Sequence, residues 1–95
     1  MIVNRRTFVA KQGHLEEACE LLAKEKRDSG VVPGAMRIYA PEIAPIDTLV
    51  VDLEFEDWAQ YHTMWEEWSP GEAFWEKWFA ATEGGGTNEV WRLFE

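Results

Sequence analysis

Apolar and polar side chains alternate most regularly at residues 48–56, which predicts a strand with one clean apolar face. Three other segments rich in β-branched or aromatic residues predict strands at residues 2–10, 35–40 and 87–94. The second and third strands follow one another across a short loop with two prolines, so they most simply form a hairpin. The apolar face of the third strand comprises Leu49, Val51, Leu53 and Phe55.

Between these strands the apolar residues adopt a helical spacing. Residues 14–28 predict a first helix that ends at Gly30, with an apolar face of Leu15, Ala18, Cys19 and Leu22. Residues 57–83 predict a second, aromatic-rich helical segment that holds five of the six tryptophans. Asp57 and Gln60 fit a capping box at its start. Ser69 as an N-cap and Pro70 in the first helical position predict a break at residues 69–71 and a new helix over residues 70–83.

The order strand, helix, strand, strand, helix, strand is that of the ferredoxin-like βαββαβ fold, an α+β architecture. We predict one domain over residues 1–95, with two helices on one face of a four-stranded antiparallel sheet and the first strand beside the third. The other sheet face mixes valines with charges, and we expect Arg5 to pair there with Asp52 or Glu54. Val90, Arg92 and Phe94 are also assigned to that face. A second sheet can cover such a face, which predicts a homodimer.

The charge balance restricts the partners of this chain. Its 18 acidic and 9 basic residues give a formal net charge of −9, which predicts neither nucleic acid nor membrane as a partner. Cys19 is the only cysteine, which suits a reducing compartment. With no signal-peptide pattern at residues 1–9, we expect a cytoplasmic protein.

Two polar residues stand on the helix-facing side of the first predicted strand. Asn4 and Arg6 need partners there, because a buried polar group without one costs about 1–3 kcal/mol. Protein groups can supply those partners, or a ligand oxygen can. His62, on the aromatic helix one turn from Trp58 and Trp65, is either a general base at a cavity edge or a solvated side chain. No spaced ligand pair predicts a metal site.

Several details are similar to a known superfamily. The first strand leads through Lys11-Gln12-Gly13 into an acidic helix, the second helix is aromatic, and a short strand, Val90-Trp91-Arg92-Leu93, closes the chain. In these features the chain resembles the dimeric α+β barrel superfamily, which includes NIPSNAP-like proteins, antibiotic-biosynthesis monooxygenases and heme-degrading monooxygenases. The resemblance spans nearly the whole chain and implies a dimeric α/β barrel.

The resemblance also assigns residues. Heme-degrading members use an asparagine on the first strand, which Asn4 matches, and a tryptophan on the second helix, matched by Trp65 or Trp68. Where those proteins place the heme-ligating histidine, this chain has Trp75 and Trp78, so we predict no cofactor. The cofactor-free quinone-forming monooxygenases surround an aromatic substrate with asparagine, tryptophan, tyrosine and arginine. Here the matching residue types are Asn4, Arg6, Trp65 and Tyr61.

Two hypotheses of function follow. In the first, a hydrophobic or aromatic small molecule binds between the second helix and the sheet, and the protein is a cofactor-independent oxygenase or isomerase. In the second, the protein is a non-catalytic dimer whose tryptophans form core or interface. The first hypothesis names Asn4, Arg6 and His62 as catalytic, with walls of Trp58, Tyr61, Trp65, Trp68 and Trp78. It requires Asn4 and Arg6 to face a void, whereas the second requires protein side chains to fill it.

Overall fold

A computed structural model of the chain describes residues 1–30 and 36–95. The turn predicted at residues 31–34 and the first residue of the second predicted strand lie outside the described residues. All the predicted strands and helices are otherwise present, with slightly shorter bounds. In order they are β1 (Ile2–Val9), α1 (Leu15–Asp28), β2 (Arg37–Tyr39), β3 (Thr48–Phe55), α2 (Trp58–Glu67), α3 (Glu72–Ala81) and β4 (Thr87–Arg92).

The four strands form one antiparallel sheet in the order β2-β3-β1-β4. The predicted α+β fold, the β2–β3 hairpin and the central position of β1 beside β3 are therefore confirmed. Residues directly opposite one another in an antiparallel pair share a face. Asn4 lies opposite Leu53 and Arg6 opposite Val51, so both polar side chains stand on the helix-covered face, as predicted.

The core lies between that face and the three helices. The apolar residues of β3 are buried, which confirms that its alternating face looks at the helices. Helix α1 contributes Ala18 and Leu22 to the core, and α3 contributes Phe74, Trp78 and Ala81. A bridge between Ala10 and Thr82 joins the end of α3 to the end of β1. The α3 helix is thereby fixed over the strand that carries Asn4 and Arg6.

The aromatic segment is divided into two helices, as predicted, but the second begins later than predicted. Asp57 caps α2 by accepting a hydrogen bond from the Gln60 backbone N–H at 2.9 Å. The residue that precedes α3 is Gly71, with φ 95°, so the predicted Ser69 cap and Pro70 helix start are wrong. Such a φ is readily adopted only by glycine, which lets the chain turn sharply between the two helices.

The predicted face assignment of the last strand is also wrong. In the observed register Asn4 lies opposite Val90 and Ile2 opposite Arg92, which places Val90 and Arg92 on the helix side. Trp91 lies opposite Val3 on the other face, and Phe94 lies beyond the end of β4. A shift of one residue exchanges the two faces of a strand, and a strand with apolar residues on both faces does not specify its register.

The sheet face away from the helices carries charge pairs. Arg5 donates two hydrogen bonds to Asp52, at 2.8 and 2.9 Å, which confirms one of its two predicted partners. Arg37 forms an ion pair with Glu54 beside it. Among the described residues, no helix is long and apolar enough to cross a membrane.

Candidate functional site

A cavity of about 160 Å³ lies between the sheet and the three helices. One of the residues that line it, Trp75, is 37% exposed. Its wall is mostly aromatic and aliphatic, with one cationic and one anionic side chain. The lining residues are Arg6, Phe8, Leu22, Glu25, Met36, Val51, Leu53, Met64, Trp65, Trp68, Phe74, Trp75 and Trp78.

Arg6 is the cation in this wall. Its guanidinium carbon lies 4.1 Å from the centre of the Trp65 ring, a cation–π contact. Its Nε–H donates to Asn4 Oδ1 over 3.3 Å, a long hydrogen bond. Within residues 1–30 and 36–95 no acidic side chain forms an ion pair with Arg6. Arg6 is thus a lining cation without an acidic partner in the described chain.

Asn4 lies behind Arg6 rather than in the cavity wall. Its side chain is fully buried, and its Nδ2 donates to Asn88 Oδ1 at 2.7 Å and to the Glu89 carbonyl at 2.9 Å. The two polar residues predicted to face a void thus differ. Protein groups satisfy Asn4, whereas Arg6 borders the cavity. The link between the two is the hydrogen bond that Asn4 Oδ1 accepts from Arg6.

The two tryptophans beside Arg6 differ in their hydrogen bonding. Trp68 Nε1–H donates to the Glu25 carboxylate over 3.0 Å. Trp65 Nε1 is buried and has no acceptor among the described residues. A buried donor left without a partner costs about 1–3 kcal/mol. Trp65 is a lining residue, so this unpaired N–H belongs to a side chain of the cavity wall.

The other aromatic walls are rigidly packed. Trp78 is buried, meets Phe8 edge to face with 4.9 Å between ring centres, and stacks on Phe74 at 6.0 Å. Trp68 contacts both Trp75 and Phe74 at 5.7 Å. Trp68 and Trp75, the two tryptophans that flank the break between α2 and α3, therefore both belong to the cavity wall.

Not all predicted site residues come together. The predicted residues that line the cavity are Arg6, Trp65, Trp68 and Trp78. Asn4 accepts a hydrogen bond from Arg6. The other three residues lie towards the start of α2, outside the lining. They are Tyr61, edge-on to Phe55 at 5.4 Å, Trp58, which is 52% exposed, and His62, exposed with its ring 6.2 Å from that of Trp58.

Glu25 is the lining residue of most chemical interest that the sequence reasoning missed. A signal for it exists in the spacing, because residues 18, 22 and 25 share one helix face. Ala18 and Leu22 are buried on that face, so a carboxylate in the next position must also point inward. In the described part of the chain, no three acidic, histidine or cysteine side chains form a metal-binding group.

Comparison with known proteins identifies the fold. No protein-family model matches the chain, and no curated protein matches its sequence. An uncharacterized NIPSNAP domain protein from Burkholderia xenovorans is similar in structure, with a TM-score of 0.74 and 14% identity, over 98% of this chain and 94% of its own. A NIPSNAP family protein from Agrobacterium tumefaciens gives a TM-score of 0.77 and 13% identity, over 96% and 90% of the two chains.

A third solved structure, described as an antibiotic biosynthesis monooxygenase, matches with a TM-score of 0.69 and 15% identity, over 100% of both chains. At such low identities the likeness establishes the fold and leaves ligand and activity open. The α+β chain fold that the resemblance predicts is thus observed: this chain has the α+β fold of NIPSNAP-domain proteins and of an antibiotic biosynthesis monooxygenase.

Proposed function

We propose that this protein binds a small planar aromatic molecule that carries an oxygen acceptor, in the cavity between the sheet and the aromatic helices. One observation carries the proposal. An aromatic-walled cavity holds a guanidinium, Arg6, with no acidic partner in the described chain, beside the buried N–H of Trp65, which has no acceptor. A carboxylate or carbonyl oxygen of a ligand complements both donors.

The volume of the cavity limits the size of the ligand. An engineered apolar cavity of about 150 Å³ binds benzene, and drug-sized ligands need about 300 Å³ or more. A cavity of about 160 Å³ therefore suits one ring with small substituents. The faces of Trp68 and Trp78 offer such a ring stacking and edge-to-face contacts.

The test is a titration with benzoate, a single ring with one carboxylate, followed by calorimetry and tryptophan fluorescence. Wild-type protein should bind benzoate saturably, and Arg6→Met should weaken binding at least about tenfold, because a hydrogen bond to a charged group contributes about 1.5–3 kcal/mol. The matched control is Arg27→Met. It removes one exposed arginine from the last turn of α1, away from the cavity, and should leave binding unchanged.

Two results would contradict the proposal. If neither benzoate nor its neutral analogue benzaldehyde changes the wild-type signal, the result favours the alternative function, a non-catalytic structural or interaction dimer. Equal weakening by Arg6→Met and Arg27→Met would indicate a general charge effect on a strongly acidic protein. Arg6→Lys separates charge from shape, since lysine keeps the charge but loses the planar fork of donors.

Catalysis as a cofactor-independent monooxygenase is the extension that the resemblance implies. In that extension Arg6 contacts the substrate and Asn4 holds Arg6 in place. His62 lies outside the cavity wall, so a role as base requires it to act on a substrate that extends towards Trp58. Uptake of dissolved oxygen with a hydroquinone tests the activity, and the loss of that uptake in His62→Ala tests the base.

We also infer a homodimer in which the two sheets meet through the face that carries Arg5 and Asp52. The helices leave this face uncovered, and Trp91 on it is 57% exposed. Light scattering should give twice the monomer mass of 11.0 kDa for the wild type. Trp91→Glu should shift the mass to the monomer, whereas Trp58→Glu, a comparably exposed tryptophan on the helix side, should not. A monomeric wild type at micromolar concentration would refute the dimer.

A further inference from the structure

We propose that Glu25 is a second polar anchor in the cavity, which selects aromatic ligands that carry a hydroxyl donor at the end opposite their acceptor. This inference rests on the proposed function, because it specifies the ligand class of the same cavity. It assigns Arg6 and Trp65 to the acceptor end of the ligand and Glu25 to the donor end. The ligand class is thus a single hydroxyaryl ring with a carboxylate or carbonyl group.

Glu25 brings an anion into a wall that is otherwise almost wholly apolar. It lies in the third turn of α1, half-buried, and lines the cavity. Trp68 Nε1–H is the donor that it meets among the described residues. An ionised carboxylate has about four acceptor sites, so capacity for another hydrogen bond remains. A ligand hydroxyl that donates to Glu25 would add a charge-assisted hydrogen bond to the one from Trp68.

The two charged side chains occupy separate places in the cavity. Arg6 comes from the sheet and lies over Trp65, whereas Glu25 comes from α1 and lies beside the indole nitrogen of Trp68. The rings of Trp65 and Trp68 are 5.7 Å apart, and Arg6 and Glu25 form no ion pair with each other. Both charged side chains line one cavity without pairing with each other, so a ring that carries an acceptor and a donor group has a partner for each.

Electrostatics sets the orientation of such a ligand. The carboxylate of the ligand is attracted to Arg6 and repelled by Glu25, which directs its hydroxyl to Glu25. A ligand with a methyl group in place of the hydroxyl has almost the same size but offers the Glu25 carboxylate no hydrogen-bond donor. A site that hydrogen-bonds a hydroxyl discriminates strongly against an analogue that lacks it.

The test compares 4-hydroxybenzoate with 4-methylbenzoate by calorimetry. Wild-type protein should bind 4-hydroxybenzoate about tenfold or more tightly than 4-methylbenzoate, since a hydrogen bond to a charged acceptor is involved. In Glu25→Met the preference should fall to about twofold or reverse, because a methyl group is the better match for an apolar wall. Glu20→Met, which removes an exposed glutamate from the same helix, should keep the full preference.

A second variant covers the case in which Glu25→Met does not fold. Glu25→Gln retains an oxygen that can accept from Trp68 and from the ligand but loses the charge. It should fold, bind both ligands and show a preference several-fold smaller than that of the wild type. An unchanged preference in Glu25→Gln and in any folded Glu25→Met would overturn the inference.

The outcomes separate this inference from the proposed function. If neither ligand binds to the wild type, or if Arg6→Met has no effect on binding, the proposed function fails. If both ligands bind with the expected dependence on Arg6 but with equal affinity, the cavity is a ligand site and the role of Glu25 is refuted.

Discussion

Alanine substitutions in the glycine run before β4 should differ in their effects on stability, although the three glycines are adjacent. At Gly86 φ is 103°, and an added Cβ would lie 2.2 Å from the carbonyl oxygen of Thr7. At Gly85 φ is 99°, but nothing lies within 4 Å of the added atom. Gly84 has neither restriction. The series therefore separates the effect of backbone conformation from that of the close approach.

The magnitudes follow from these two terms. Gly84→Ala should stabilise the protein by up to about 1 kcal/mol, through the smaller entropy of its unfolded chain. Gly85→Ala should cost about 1–3 kcal/mol of backbone strain. Gly86→Ala adds a clash that forces β1 and β4 apart by almost an ångström at the Thr7–Thr87 pair. One broken ladder bond with unpaired groups costs about 1–3 kcal/mol more, so the total is about 2–6 kcal/mol.

Urea and thermal unfolding of the three variants measure these differences. For a domain of this size 1 kcal/mol corresponds to about 4–8 °C in Tm, so Gly86→Ala should melt at least about 8 °C below the wild type. Gly85→Ala should lie between Gly86→Ala and Gly84→Ala. Equal stabilities for Gly85→Ala and Gly86→Ala would refute the close approach of this loop to β1, the strand that carries Arg6.

Three further predictions concern the helices. Trp78→Ala should reduce the free energy of unfolding by about 3–5 kcal/mol because Trp78 is buried between Phe8 and Phe74, whereas the half-exposed Trp58→Ala should cost far less in the same urea titration. Asp57→Ala should cost about 1 kcal/mol by the same assay, through loss of the α2 cap. Burial raises the pKa of the Cys19 thiol, so the folded state favours the neutral form. As the pH rises from the ordinary thiol pKa, about 8.5, to the raised pKa, the free energy of unfolding of the wild type should fall relative to that of Cys19→Ala. Parallel pH profiles of the two free energies would contradict this.

The order of strands and helices could be predicted from patterns of apolar and polar residues, because each pattern depends on residues that are neighbours along the chain. Strict alternation in β3 identified the core face, and the residue types on the other face predicted Asp52 or Glu54 as the partner of Arg5, of which Asp52 is observed. The faces of the last strand could not be predicted in this way. That strand has apolar residues on both faces, so its register is set by pairing with β1 rather than by its own pattern.

The cavity could be predicted only in part. Arg6 and three of the tryptophans were named from the helix stripe and the strand face, and they do line the cavity. The far end of the same stripe, Trp58 and Tyr61, lies outside the lining, because the part of α2 that contacts Arg6 is its last turn, at Trp65. Glu25 comes from a different helix, and its approach to Trp68, which follows the last residue of α2, depends on how α1 packs against α3 and the sheet.

The indole region of a proton–nitrogen correlation spectrum, recorded during a titration with 4-hydroxybenzoate, tests the central claim most directly. Each of the six tryptophans contributes one indole N–H signal, and the signal that is missing from the spectrum of Trp65→Phe is that of Trp65. The Trp65 signal should shift downfield saturably as its buried N–H gains an acceptor, while the exposed Trp58 and Trp91 signals stay fixed. A stationary Trp65 signal at ligand concentrations that saturate the calorimetric response would place binding elsewhere and contradict the account.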